Sequence, residues 1–241
     1  MHTYIISDLH LTPQQPNVIE AFMQFMAGEA QSAEQLYILG DLFEYWIGDD
    51  AAPLLGAEPV LAQMQALASK IPCFFIAGNR DFLVGPQFEQ ASGFKILEDE
   101  SVIDLYGQPT LILHGDSLCI DDHAHQLFRQ QIVTNAEWRE QFLGLEIPAR
   151  IEAAKQARME SQAHKSNVSM EIMDVTESAV LERFADRNVQ QMIHGHTHRQ
   201  ATHDYATPAG DARRYVLGDW LTTASVLKAD ANGIDITNYP I

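Results

Sequence analysis

The chain has 241 residues, of which 46% are apolar and 20% charged, a composition that fills a folded core and excludes a disordered chain. Its net charge of −18 argues against nucleic acid as a partner, because phosphate backbones are bound by cationic surfaces. The two cysteines, Cys73 and Cys119, have no Cys-x-x-Cys spacing and favour a reducing, cytosolic setting. No apolar run approaches the ~20 residues that span a bilayer. The first residues lead directly into a strand, so we expect no secretory signal.

The first half of the chain alternates short apolar strands with helices, which is typical of a layered α/β fold. Strands are predicted at residues 3–7, 36–39 and 73–76. One helix is predicted from Asn17, as its N-cap, to about Gly28, and a second over residues 59–70.

The second half is predicted to begin with a hairpin over residues 101–113 that turns at Gly107. Residues 123–187 are mainly helical by pattern, and a short strand follows at 189–193. Alternating residues at 200–206, 213–217, 223–229 and 233–237 predict antiparallel strands. We find no internal repeat and no low-complexity segment.

Five of the predicted strands end in side chains that could bind a metal. The set is Asp8, His10, Asp41, Asn79, His114, His196 and His198. Ligands of open α/β folds collect at the carboxyl ends of strands. Oxygen and nitrogen donors without thiolates suit Mn²⁺, Fe or Zn²⁺. Seven donors exceed one tetrahedral site, so two metals that share a ligand are expected.

Each of these pieces has an ordinary structural explanation when it is taken alone. An Asp-x-His or Gly-Asp pair often serves a turn or a cap, and His114 could be a core histidine with satisfied hydrogen bonds. The joint occurrence of donors at five separate strand ends favours a two-metal site. The further histidine at position 194 is expected to be structural or to lie behind the ligands.

The same residues fall into the motifs Asp8-x-His10, Gly40-Asp41-x-x-Glu44, Gly78-Asn79-Arg80-Asp81, His114 and Gly195-His196-x-His198. In this order, they resemble the motifs of the calcineurin-like metallophosphoesterase family. The resemblance implies one domain over residues 1–241, built as a four-layer α/β/β/α sandwich.

The resemblance also implies a role for each donor. Asp8, His10 and His198 would bind a first metal, Asn79, His114 and His196 a second, and Asp41 would bridge them. A water activated by the two metals would attack phosphorus. Arg80 would contact phosphate, which suits its forked cation. The catalytic residues implied are Asp41, Asn79, Arg80 and His196.

Longer stretches, at residues 38–50, 78–83, 114–122 and 172–175, resemble one branch of this family, the UDP-2,3-diacylglucosamine pyrophosphatases of lipid A biosynthesis. That branch implies two Mn²⁺ ions, hydrolysis of UDP-2,3-diacylglucosamine to UMP and 2,3-diacylglucosamine 1-phosphate, and attack on the uridine-side phosphorus. It implies a protein peripheral to the cytoplasmic face of the inner membrane, and we expect a monomer. The substrate-binding residues implied are Asn79, Arg80, Asp122, Ser161, Lys165, Val168 and His196. Val168 aligns with a position that is basic in some members of the branch, and Lys165 or Asn167 could take that role instead. Asp122 could instead be a helix N-cap.

The segment between His114 and His194 is longer than a simple crossover of ~30 residues requires. The excess, at about 123–170, predicts a helical insertion. It is either an ordinary helical hairpin on the core or, as the family implies, a lid whose apolar face holds two acyl chains.

Two other functions remain open at this stage. The chain could be a phosphoesterase of the same superfamily that acts on a nucleotide or another phosphodiester, for which an apolar insertion is unnecessary. It could also be a non-catalytic binding module on the same scaffold, although such a module is expected to have lost some of its ligands.

Overall fold

The computed structural model describes the backbone of residues 1–167 and 172–241, and the side chains of residues 1–159 and 172–241. The strands in chain order are β1 (Thr3–Ile6), β2 (Gln35–Leu39), β3 (Cys73–Ile76), β4 (Lys95–Leu97), β5 (Ser101–Leu105), β6 (Gln108–Leu113), β7 (Gln191–His194), β8 (Ala201–Thr207), β9 (Gly210–Val216), β10 (Thr223–Asp230) and β11 (Gly233–Pro240). The helices are α1 (Pro16–Ala27), α2 (Glu58–Ala68), α3 (Pro86–Ser92), α4 (His123–Phe128), α5 (Ala136–Leu143), α6 (Ile147–Asn167) and α7 (Glu177–Arg187).

Two sheets form the centre of the fold. The first has the strand order β11-β10-β1-β2-β3-β4 and the second the order β5-β6-β7-β9-β8. Because side chains alternate along a strand, β1 turns Ile5 toward the other sheet and Tyr4 and Ile6 toward the helices. Ile5 packs in one buried cluster with Ile112 and Ile193 of the second sheet.

Helices cover the outer face of each sheet. Buried residues of α1 and α2, such as Phe22 and Met64, pack on the first sheet, and Val180 and Phe184 of α7 pack on the second. The predicted four-layer α/β/β/α sandwich is thereby confirmed.

Parallel pairing sets the position of the site. Strands β1, β2, β3 and β4 are parallel, and so are β6, β7 and β9. Their carboxyl ends therefore lie at a common edge of each sheet. The predicted donors lie in the loops that leave these strand ends.

The structure corrects three details of the predicted elements. Helix α1 begins at Pro16 after Gln15 and has no side-chain cap, so Asn17 is not its N-cap. Proline suits the first turn because the backbone N–H that it lacks would have no partner within the helix there. Strand β4 and helix α3 were not predicted, since both are too short to show a clear period. Strand β7 extends one residue further than predicted, to His194.

The insertion between β6 and α7 is helical, as the sequence predicts. It consists of α4, a π-helical turn over Arg129–Val133, α5 and α6. We call this segment, residues 123–167, the lid. Among the described residues, no helix combines the length and the apolar character needed to cross a bilayer.

Candidate metal centre

The seven predicted donors lie in loops that leave the carboxyl ends of the strands. Asp8 and His10 follow β1, Asp41 follows β2, and Asn79 follows β3. The loops after β1 and β2 stay paired, since the amide of Asp8 donates to the carbonyl of Gly40 at 3.1 Å and that of His10 to Asp41 at 2.9 Å. The donors of neighbouring strands are therefore held side by side.

The backbone is left-handed at five of the seven donors. The φ angles are 57° at Asp8, 50° at His10, 51° at Asp41, 65° at His196 and 59° at His198. Residues other than glycine rarely adopt this conformation, which costs ~1–2 kcal/mol per residue. Such strain persists where the surrounding structure enforces it, and it is concentrated at functional sites.

A first group of donors brings together Asp8, His10 and His198. The Nε2 atoms of His10 and His198 are 3.3 Å apart, and His198 Nε2 is 3.3 Å from Asp8 Oδ1. Asp8 is fully buried. Its other carboxylate oxygen accepts hydrogen bonds from the Ser7 hydroxyl at 2.6 Å and from the His196 amide at 2.9 Å. One oxygen is thus held by the protein and the other faces the two imidazoles.

A second group brings together Asn79, His114 and His196. Asn79 Oδ1 lies 3.0 Å from His114 Nε2 and 3.1 Å from His196 Nδ1. The two imidazole nitrogens are themselves 3.2 Å apart. Three donor atoms therefore converge on one point.

Asp41 stands between the two groups. Its Oδ2 is 3.8 Å from His10 Nε2, and its Oδ1 is 3.7 Å from His114 Nε2. The two oxygens of one carboxylate thus face different donor groups, which is the placement that a bridging ligand requires. The amide of Arg80 also donates to Asp41 Oδ1 at 2.8 Å, which fixes the carboxylate.

The groups fit a pair of divalent metals. Among the side chains that the structure describes, Asp8 Oδ1 and His10 Nδ1 are buried polar atoms without a hydrogen-bond partner. Leaving such atoms unpaired is costly unless another group satisfies them. A metal at the first group would satisfy Asp8 Oδ1, and the donor set of carboxylates, imidazoles and one amide has the composition for Mn²⁺, Fe or Zn²⁺.

Hydrogen bonds behind the imidazoles set their protonation. His114 Nδ1 lies 2.9 Å from the carbonyl of Leu39, which can only accept, so this nitrogen carries the proton. His198 Nδ1 lies 3.0 Å from Asp219 Oδ2, which likewise accepts its proton. In both rings Nε2 is left to face the centre, an arrangement common for metal-binding histidines.

The carboxylates impose a negative field on the centre. Burial alone would raise the pKa of Asp8, but His198, His114 and His10 hold it below its usual range. Burial opposes protonation of His114, yet Asp41, Asp8 and Asp116 raise its pKa to about 9. For His198, Asp8 and Asp219 overcome burial and raise the pKa to about 10. The imidazoles of His114 and His198 therefore hold protons when no metal cation offsets the carboxylates.

Asp81 ties the ligand-bearing loops together. This fully buried carboxylate accepts hydrogen bonds from the amides of Gly78 at 2.8 Å, Leu42 at 2.7 Å and Asp41 at 3.2 Å. Burial and the nearby Asp41 raise its pKa to about 7. Asp81 belongs to the Gly-Asn-Arg-Asp motif, but its spacing does not predict that it links the loops after β2 and β3.

An apolar chamber of about 570 Å³ opens beside the second donor group. Asn79, Arg80 and Glu44 lie at its polar end. Its apolar wall is formed by Trp46, Ile47, Phe82, Leu83, Phe128, Ile132, Trp138, Phe142, Ala153, Ala154 and Ala157. Most of these residues come from the lid, so the insertion forms most of the apolar wall of the chamber.

The predicted lid contacts are only partly visible. Asp122 is buried and caps α4, accepting from the His125 amide at 3.0 Å, which is the structural alternative that the sequence left open. The backbone of Ser161 and Lys165 lies in α6, but their side chains are outside the described residues. Val168 also lies outside the described residues.

His194 supports the loop that follows it. The ring is fully buried; its Nδ1 lies 2.9 Å from the Gly195 carbonyl and its Nε2 lies 2.9 Å from Nη1 of Arg214. Burial, followed by the charge of Arg214, lowers its pKa to about 3. His194 is thus a neutral side chain that orients the start of the His196 loop.

Sequence reasoning missed two residues around the first group. Asp219 accepts from His198, and Glu44 Oε2 lies 3.5 Å from His10 Nδ1. Asp219 could have been found, because Gly218-Asp219 follows the parallel strand β9 just as Gly40-Asp41 follows β2. Glu44 was part of a motif, but nothing in its spacing assigned it to His10.

The chain is similar to known phosphoesterases. The calcineurin-like phosphoesterase family model matches residues 1–200. The UDP-2,3-diacylglucosamine hydrolase of Serratia proteamaculans is 44% identical over 240 residues, and that of Xanthomonas oryzae pv. oryzae 44% identical over 250 residues, with 100% of both chains covered in each case. A solved dimetal phosphatase from Danio rerio is 11% identical with a TM-score of 0.52, covering 100% of this chain and 96% of that one, and shows a shared fold.

Proposed function

Since this chain belongs to the calcineurin-like phosphoesterase family, we propose that it hydrolyses the diphosphate bond of UDP-2,3-diacylglucosamine, giving UMP and 2,3-diacylglucosamine 1-phosphate. One observation carries the proposal: a candidate two-metal centre opens directly into an apolar chamber of about 570 Å³. The substrate has the same two parts, a charged diphosphate and two acyl chains. Full-length similarity to UDP-2,3-diacylglucosamine hydrolases supports the same substrate.

Two Mn²⁺ ions are the proposed cofactors. Asp8, His10 and His198 would hold one ion, Asn79, His114 and His196 the other, and Asp41 both. Bound divalent metals supply Lewis acidity, which lowers the pKa of water and offsets charge on a phosphoryl group. The mixture of oxygen and nitrogen donors supports Mn²⁺ as the metal.

The protein's own groups orient the diphosphate. Arg80 lies at the polar end of the chamber beside Asn79, where its guanidinium can donate two parallel hydrogen bonds to phosphate oxygens. Its backbone amide holds Asp41, so one residue couples the bridging carboxylate to phosphate binding. Desolvation of the imidazole, followed by the charge of His114, lowers the pKa of His196 well below its usual value. His196 would therefore act as a neutral ligand of the second metal and contact phosphate.

The leaving group needs little assistance from an acid. Attack on the uridine-side phosphorus expels a sugar phosphate, whose second pKa is ~6. The acyl half of the substrate occupies the chamber, where Trp138 stacks on Phe142 with ring centroids 4.7 Å apart. Each buried methylene contributes ~0.8 kcal/mol, so the acyl chains supply much of the affinity.

We propose that the lid also contacts the cytoplasmic face of the inner membrane, where a diacylated substrate lies. Leu127, Leu143, Leu145 and Met159 of the lid are exposed apolar side chains. Residues 123–167 hold six basic and five acidic residues, whereas the rest of the chain holds nine and 28. The net negative charge thus lies on the rest of the chain, and the lid can approach anionic lipid.

Vesicle co-sedimentation tests the membrane contact. Changing Leu127 and Leu145 together to Gln is expected to lower affinity for phosphatidylglycerol vesicles at least ~10-fold, because both side chains would lose their apolar burial. Val102→Gln is the matched control, since Val102 is 47% exposed but lies on β5. An equal loss for the control would place the membrane contact elsewhere.

A monomer is proposed as well, because one chain supplies all seven donors and the chamber. Sedimentation velocity tests this proposal.

The reaction is tested by phosphorus NMR. Mn²⁺-loaded protein is incubated with UDP-2,3-diacylglucosamine in ¹⁸O-water and then quenched with a chelator. The expected result is label in UMP and none in the lipid phosphate. Label in the lipid phosphate would reverse the attacked phosphorus. No turnover of this substrate, with turnover of bis(p-nitrophenyl) phosphate, would make the protein another phosphodiesterase of the family.

A further inference from the structure

Arginines fasten the lid to the core. Arg129, in the π-helical turn, donates to both oxygens of Asp116 at 2.9 and 2.8 Å and to Asp99 at 2.8 Å. Arg139 of α5 donates to the carbonyl of Phe82 at 2.6 Å. The basic residues of these lid segments thus point inward and fix positions.

Arg150 fastens α6 in the same way, through three hydrogen bonds. Its Nη1 donates to the Ile47 carbonyl at 2.7 Å and to Asp50 Oδ1 at 2.8 Å, and its Nη2 donates to Asp50 Oδ2 at 2.5 Å. Arg150 is 2% exposed although it is charged. The forked geometry fixes the direction as well as the distance of the helix.

The surface that receives Arg150 is a rigid part of the chamber wall. Gly48 has φ +117°, and a Cβ there would lie 2.4 Å from Arg150 Nη1 and 2.8 Å from Leu143 Cδ2. Glycine therefore allows α5 and α6 to approach the loop. The neighbouring Trp46 indole donates to Asp49 at 2.9 Å, and Asp49 also accepts amides at the start of α3. The loop is thus held independently of the lid.

Helix geometry connects this contact to the chamber. Ala154, Ala157 and Arg158 follow Arg150 by four, seven and eight residues, so all four share one face of α6. All three of these followers line the chamber, and Arg158 also forms an ion pair with Glu44 at its polar end. The direction that Arg150 imposes on α6 therefore sets how closely the alanine face covers the chamber.

We propose that Arg150 is a positioning residue for the lipid half of the substrate, acting through Asp50 and the Ile47 carbonyl to fix where α6 crosses the chamber. The inference rests on the proposed function. Stability alone explains the contact poorly, because taking a guanidinium out of water offsets most of the gain from its ion pair. The best-attested use of such pairs is to specify register.

The test compares two substrates in one set of variants. Arg150→Gln is expected to raise KM for UDP-2,3-diacylglucosamine at least ~10-fold, since a small displacement of a binding wall has large effects. Turnover of bis(p-nitrophenyl) phosphate, which does not use the chamber, is expected to stay unchanged. Asp50→Asn is expected to shift KM in the same direction, and Arg150→Lys to restore part of it. Arg213→Gln, which breaks the exposed pair with Asp204, is the matched control and is expected to change neither substrate.

Each result bears on the inference. Equal losses for both substrates, or an unchanged KM for the lipid, would overturn it. If Arg150→Gln does not fold, Asp50→Asn carries the test, because the Asp50 side chain is 55% exposed and its loss leaves little buried surface unfilled. A wild-type protein that does not hydrolyse the lipid substrate would refute the proposed function instead, so the two failures are distinguishable.

Discussion

Replacing Gly195 with Ala is the sharpest test of how the centre is assembled. A Cβ at this position would lie 2.0 Å from Ser7 Oγ and 2.1 Å from Asp8 Oδ2. Both neighbours are fully buried and joined to each other by a 2.6 Å hydrogen bond, so neither can rotate into free space. Reaching an ordinary contact of 3.4 Å requires a displacement of more than 1 Å, either of Asp8 or of the loop that carries His196.

The expected losses follow from that displacement. Overpacking a closed site costs ~1–3 kcal/mol of unfolding free energy, which corresponds to a Tm lower by ~2–12 °C for a chain of this size. A misplacement of ~1 Å at a catalytic site costs ~100-fold in rate. We therefore expect Gly195→Ala to lose ~100-fold in kcat/KM and to bind less than two metals per chain, measured by inductively coupled plasma mass spectrometry.

Gly144→Ala is the matched control for this change. Gly144 has φ −73°, and its Cβ would meet carbonyl oxygens at 3.4 and 3.5 Å, which is ordinary contact. We expect this variant to keep its activity and metal content. Gly195→Ala with wild-type kcat/KM and two bound metals would refute the claim that Asp8 and the His196 loop are packed this tightly.

Three other predictions concern the centre and the chamber. Asp219→Asn is expected to weaken metal binding ~10–100-fold, because Asp219 orients His198, and isothermal titration would show no change if that contact is incidental. In metal-free protein the pKa of His114 is raised to about 9 and that of His198 to about 10, above the ~6.5 of the unfolded chain. The stability that their protonation contributes is therefore complete below pH ~6.5. It is lost as the pH rises through 9 to 10. Thermal melts should show Tm falling over that range, while metal affinity rises because the protons leave; a flat pair of curves contradicts this. Trp138→Ala is expected to raise KM for the diacyl substrate more than for a short-chain analogue, and equal effects would argue against acyl binding in the chamber.

The donors could be predicted because their positions follow from topology. Parallel strands end at one edge, so residues after β1, β2 and β3 must lie close together however distant they are in sequence. The same rule applies to Asp219 after β9, which sequence reasoning missed because the alternating pattern predicts the antiparallel partner β8 and not a second, parallel one. In the structure β9 pairs parallel with β7, and only then do its carboxyl end and the donors share an edge.

The inner surface of the lid could not be predicted. Apolar residues are spread around its short helices, and the sequence does not distinguish Phe128, which lines the chamber, from the neighbouring Leu127, which is 51% exposed. Its arginine contacts were hidden for another reason. Arg150 and Asp50 are 100 residues apart and share no motif, so only the folded chain brings them together.

The left-handed backbone at five donors bears on how this protein would respond to selection for stability. Glycine adopts that conformation without the cost that an imidazole-bearing residue incurs. Substituting glycine at His10 or His198 would therefore relax the backbone and remove a donor in the same step. A library screened for heat resistance alone exerts no selection for the donors, so stability and activity have to be measured together. Stabilisation of this scaffold has to begin away from the strand ends, with activity measured at every round.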